Sequence, residues 1–200
     1  AILLDRVADI YPEMDLLPHT LKGFYNSHGG GGEGKVVGRI WETGLAWNFA
    51  MAYDAFFDVM DDPQVISFLS NKAAQYHMEN PKSSGELIRQ NCEDGILRAI
   101  YNGCQKAQIY GNFGMHQRAC TIAAVVLDSQ PESTEWIDWV MRSGSYTVRR
   151  GNTGGNVMAQ LVDDIDRDGH GNEAAPGYNS GWNMRLIQIG DMLDGYAGAD

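Results

Sequence analysis

The sequence predicts an all-α domain, and three observations carry the prediction. Apolar residues recur at helical spacing, as in Leu45, Phe49, Ala52, Tyr53, Phe56 and Met60. No stretch alternates apolar and polar residues as a half-buried strand would. Pro, Gly, Asp and Asn punctuate the periodic segments and leave helix hairpins with short connections. With 200 residues, 44% hydrophobic and 20% charged, the chain fits one globular domain, residues 1–200, able to build a real core.

The elements follow in order. Residues 2–10 place apolar side chains at 3, 4, 7 and 10, a helical period, and Tyr11-Pro12 and Leu17-Pro18 end it. Residues 25–38, YNSHGGGGEGKVVG, read as a flexible Gly-rich loop. They lack the GK[ST] of a phosphate-cradling loop, and no strand precedes them. Residues 39–60 are the longest periodic segment. Asp61-Asp62-Pro63 breaks it, and Pro63 suits the first turn of the next helix, 64–78. Ser83 or Ser84 opens a third helix, 86–108. Residues 110–128 read as a buried helix with a polar, Gly-punctuated head. Helices over 133–141, 156–162 and 182–196 complete the set. No sequence-identical repeat is present, but helix pairs about 40 residues apart suit a toroid or solenoid.

Net charge is −11, which argues against non-specific nucleic-acid binding. A local cleft can still oppose the global sign and take a polyanion. No apolar run approaches the roughly 18 residues of a membrane span. The opening residues are no signal peptide, since Asp5, Arg6 and Asp9 interrupt them. Cys92, Cys104 and Cys120 lie in apolar helical context without a CxxC. They read as buried thiols, the alternative being one disulfide and a free cysteine.

Four groups of residues could carry chemistry. Asn112, His116, Gln117 and Arg118 head the 110–128 segment, and Asn112 and His116 share a face if the helix has begun there. A capping Asn beside a hydrogen-bonded His is the plainer reading. Within DGHGNEAAPGYNSGW, Asp168-Gly169 and Pro176-Gly177 are turn signals that present Tyr178 at a loop end, or else Tyr178 anchors the loop to the core. Asp164, Asp166 and Asp168 look like the start of a calcium loop, with Ala175 where an EF-hand has its bidentate Glu and Glu173 a substitute. A solvated acidic loop is the alternative. Of the tryptophans, most are core by periodicity, while Trp41 and Trp182 adjoin loops and could stack on sugar rings.

These motifs together resemble one family. DGHGNEAAPGYNSGW resembles the DG-x3-E-x2-P-x-Y signature of the heparinase II/III-like polysaccharide lyases. NFGMHQ, with the small-residue helix after it, is similar to that family's Asn/His segment. GRIWETGLAWNFAMAYD and AILLDRVADIYPEMD are similar to the stretches before it, in the same order and spacing. The resemblance covers most of the chain. It implies an incomplete (α/α) toroid and β-elimination on a uronic-acid-containing polysaccharide, such as a glycosaminoglycan or alginate. It also implies a secreted or periplasmic enzyme, and a C-terminal β-sandwich that completes the site with a further histidine and, in some members, a structural metal. No cofactor is required by this chemistry.

The residues suit that chemistry. The proton on C5 of a uronate is barely acidic while the neighbouring carboxylate is charged, so the carboxylate must be neutralised and the enolate-like intermediate stabilised. The Asn112 amide suits this role, with His116 beside it. Tyr178 would take the C5 proton, protonate the departing O4, or both, given nearby positive charge or hydrogen bonds. His116 is the alternative base. Arg39, Trp41, Gln117, Arg118, Glu173 and Trp182 are expected to contact the sugar chain. A glycoside hydrolase using Glu173 with Asp163, Asp164, Asp166 or Asp168, or a non-catalytic carbohydrate-binding module, are the competing readings.

Overall fold

The structure is a computed structural model that describes residues 1–9, 38–39, 43–147, 151–165, 168–169, 171 and 175–197, the side chains of 38, 39, 146 and 147 excepted. The described residues are mostly helical, as the periodicity predicts. In chain order they form α1 (Ile2–Ala8), β1 (Gly38–Arg39), α2 (Thr43–Ala55), α3 (Pro63–Gln75), α4 (Gly85–Cys92), α5 (Arg98–Gln105) and β2 (Ile109–Tyr110). Then come α6 (Met115–Leu127), α7 (Glu132–Met141), β3 (Tyr146–Thr147), β4 (Gly151–Asn152), α8 (Val157–Ala159) and α9 (Pro176–Leu193). The strands are two-residue pairs: β1 with β2, parallel, and β3 with β4, antiparallel.

Local signals place several helix ends. Asp62 caps α3 by accepting from Gln64 N (2.7 Å) and Val65 N (3.4 Å), with Pro63 in the first turn. Ser84 caps α4 through Leu87 N. The predicted helix 86–108 is α4 and α5 joined by a π turn, Glu93–Leu97. At its centre Gly95 lies against α1, where a Cβ would sit 2.3 Å from the Ala8 carbonyl oxygen.

Three expected boundaries move. The helix expected over 39–60 runs from Thr43 to Ala55, because Gly38–Arg39 is drawn into a strand and a 3-10 turn, Asp58–Asp61, follows. The helix expected from 110 starts at Met115, because Ile109–Tyr110 pairs with β1. Asn112 therefore precedes the helix and does not share a helical face with His116. The helix expected from Trp182 starts at Pro176, so Tyr178 stands in its first turn and not at a loop end. The Gly-rich loop expected over 25–38 lies outside the described residues, apart from the backbone of Gly38.

The core is built around α6, which packs on α2, α5, α7 and α9. Ten of its 13 residues are buried, among them Ala119, Cys120, Thr121, Ala123 and Ala124. These small side chains let neighbouring helices approach on several sides, and Thr121 satisfies its hydroxyl on the Gln117 carbonyl at 2.9 Å. Facing it, α2 buries Ala46, Ala50 and Tyr53 at helical spacing. Trp136 and Trp139 of α7 are core, as their periodicity predicts, and Tyr101 stacks on Trp136 at 4.8 Å. Cys92, Cys104 and Cys120 are buried free thiols.

Candidate functional site

A cleft of about 370 Å³ opens where the head of α6 meets the chain after β4. Its walls hold Asn112, Phe113, His116, Gln117, Asn152, Asn156 and Gln160. Asn112 sits in the turn between β2 and α6, whose carbonyl accepts from Met115 N at 3.0 Å. Gly114 makes that turn possible. Its φ is +84°, and Arg185 of α9 lies so close that a Cβ would fall 2.6 Å from that side chain. Gln117 closes the first turn, its Oε1 accepting from Gly114 N at 3.0 Å and its Nε2 donating to the Gly155 carbonyl at 2.9 Å. Gly155 is itself held by α7 through the Trp139 carbonyl at 2.7 Å.

Most polar groups of the cleft are spent on the protein itself. Asn152 donates to the Cys104 carbonyl, Asn156 pairs with both backbone groups of Gly144, and Gln160 donates to the Asp164 carboxylate. Gln117, expected to contact sugar, has both ends of its amide engaged. Two groups are different. The Asn112 side chain makes no hydrogen bond among the described residues. His116 is 8% exposed, and its Nδ1 is buried without a partner. Burial lowers the His116 pKa to about 4, so the ring is neutral at neutral pH. A buried polar atom is normally bonded, so the unpartnered His116 Nδ1, with the half-buried Asn112 amide beside it on the cleft wall, makes this a place for a ligand.

The remaining expected residues distribute as follows. Trp182 packs on Phe113 with ring centres 5.2 Å apart, and its Nε1 is buried without a partner. Tyr178, one helical turn before Trp182, is 42% exposed and does not line the cleft. Arg118 projects from α6 away from the cleft, its guanidinium 4.9 Å above the Trp47 ring and Nη1 donating to Gln188 Oε1 at 2.7 Å. The Arg39 backbone pairs with Tyr110, next to the turn that carries Asn112. Trp41, Asp166, Glu173 and the Arg39 side chain lie outside the described residues. Among the described residues no three His, Cys, Asp or Glu side chains converge on a metal-sized site. Asp164 accepts from the Gln160 amide.

Sequence reasoning missed Asn152, Asn156, Gln160 and Arg185. The three amides recur every four residues from within the Gly-rich stretch that begins at Gly151, a spacing visible in the sequence. Arg185 is the single basic residue of α9, three residues after Trp182 on the same face. No helix of the described residues is long and apolar enough to cross a membrane. Comparisons with protein-family models, with curated proteins and with solved structures find no match to this chain.

Proposed function

We propose that this chain is the helical, toroid-type part of a secreted or periplasmic polysaccharide lyase that cleaves a uronic-acid-containing chain by β-elimination. The observation that supports it best is the pair of uncommitted polar groups, the Asn112 amide and His116 Nδ1, in one cleft. The Asn112 amide N–H groups donate to the uronate carboxylate and spread its charge as the C5 proton leaves. His116 hydrogen-bonds beside it. Its pKa of about 4 makes it a poor acceptor of a carbon-bound proton, and Tyr178, which stands outside the cleft lining, is assigned the transfer on its place in the DG-x3-E-x2-P-x-Y motif. The phenolic oxygen takes the C5 proton and returns it to the departing O4, which breaks the C4–O4 bond and leaves a C4–C5 double bond. Tyr178 stands in the first turn of α9, where the positive end of the helix dipole stabilises negative charge developing on that oxygen. Phe113 gives the sugar an apolar wall, backed by Trp182. A C-terminal β-domain completes the site in this reading.

The test is the near-ultraviolet absorbance of the unsaturated uronate product, followed on acidic polysaccharides with the intact gene product. Tyr178→Phe is expected to lower turnover by about a thousandfold or more while the polysaccharide still binds. Full activity in that variant overturns the assignment. Saturated products would point to hydrolysis, and binding without product to a carbohydrate-binding module.

A further inference from the structure

We propose that Arg118 and Arg185 form an anion pocket between α2, α6 and α9 that takes the carboxylate or sulfate of a sugar next to the one in the cleft. The identity of this ligand rests on the lyase reading; the existence of the pocket does not.

Both guanidiniums are half-buried, and each meets only neutral groups. Arg118 lies over Trp47, donates to Gln188 and leaves its buried Nε without a partner. Arg185 crosses Gly114, passes beside Gly181 and donates Nη1 to the Phe113 carbonyl at 3.2 Å. No carboxylate among the described residues pairs with either. Elsewhere the chain does the opposite: Arg89 is bound to Asp61, and Arg98 to Glu132 and Asp94. With 26 acidic residues against 15 basic, carboxylates are in excess, yet none has been placed here.

Two half-buried neighbouring cations with no counter-ion among the described residues oppose folding unless something brings the missing charge. Arg118 stands one turn after Gly114, which Arg185 crosses, and its partner Gln188 lies one turn after Arg185 on α9, so the two side chains are neighbours between α6 and α9. A guanidinium fork matches the two oxygens of a carboxylate or sulfate. Phe113 sets the location. Its ring lines the cleft and its carbonyl holds Arg185, so the pocket adjoins the cleft across a single residue. A polysaccharide with a charge on neighbouring sugars presents its next anion at that distance class, one residue along.

The experiment titrates the arginine-15N-labelled protein with inorganic sulfate, and separately with glucuronate, against sodium chloride at matched ionic strength. The Nε–H resonances of Arg118 and Arg185 are expected to move together and saturate. Saturation with sulfate alone identifies a sulfated sugar, and saturation with glucuronate a carboxylate. Arg118→Gln and Arg185→Gln are each expected to weaken binding tenfold or more, judged on variants whose circular dichroism matches the wild type. If one fails to fold, the other and the Arg→Lys variants, which keep charge and lose the fork, decide. No saturable movement, movement that chloride reproduces, or unweakened binding in folded variants overturns the pocket. Failure of the wild type to release unsaturated product from any uronate chain overturns the lyase reading and leaves the titration standing.

Discussion

On the α1–α4 side of the molecule, Lys82 and Asp5 are fully buried and bonded at 2.8 Å. Asn91 takes the second Asp5 oxygen at 2.9 Å, and Asp9 lies 3.3 Å from the ammonium. On the α6–α9 side, His116 Nδ1, Arg118 Nε and Trp182 Nε1 are buried with no partner among the described residues. One region completes its polar groups with its own side chains, and the other leaves them open. The first pattern is that of a structural tie between α1 and the segment before α4. The second is what a surface looks like when its partner comes from outside.

Removing one member of each region should separate them. Lys82→Met removes the buried ammonium bonded to Asp5, a loss expected to cost about 3–5 kcal/mol of stability. The matching change Arg185→Gln removes a charge that has no counter-ion, and is expected to cost less than about 1 kcal/mol. Urea midpoints of the two variants measure both. Equal losses would erase the distinction between the regions.

A smaller effect comes from pH. Above about pH 6.5 the His116 imidazole is neutral in both the unfolded and the folded chain. Between 6.5 and about 4 only the unfolded chain takes the proton, because burial keeps the folded ring neutral. Stability therefore falls through that window, by up to about 1.4 kcal/mol per pH unit, and this contribution is exhausted below about pH 4. His116→Gln is expected to flatten that slope in urea titrations at pH 7, 6 and 5. An unchanged slope would mean that His116 is solvated in the folded chain.

The parts of the fold legible in the sequence are the local ones. Asp62-Pro63 and Ser84 mark helix starts because a cap acts over two or three residues. Trp136 and Trp139 show as core because helical period and burial coincide. The head of α6 misled because two-residue strands have no readable period, and β2 finds its partner about seventy residues earlier. The burial of Lys82 was not legible either. It stands among Asn80, Pro81, Ser83 and Ser84 like a solvated loop residue, and its burial depends on Asp5, 77 positions away. At the candidate site, Asn112 and His116 were legible as polar groups before an apolar helix. Arg185 was not, because its neighbour Arg118 and the Phe113 carbonyl come from another helix and another turn.

The enclosure of α6 has a consequence in time as well as in space. With ten of its 13 residues buried, its amide protons are expected to exchange with solvent only when the whole domain opens. Of the 18 residues of α9, only Asn179, Gly181 and Ile189 are buried, so its amides should exchange sooner, by local detachment. His116 thus rides on the slowest-breathing part of the chain, and Tyr178 on one of the fastest. Lifting of α9 is expected to leave the cleft floor on α6 in place and to take Trp182 from behind Phe113, so hydrogen exchange along α9 should slow when a sugar chain is bound.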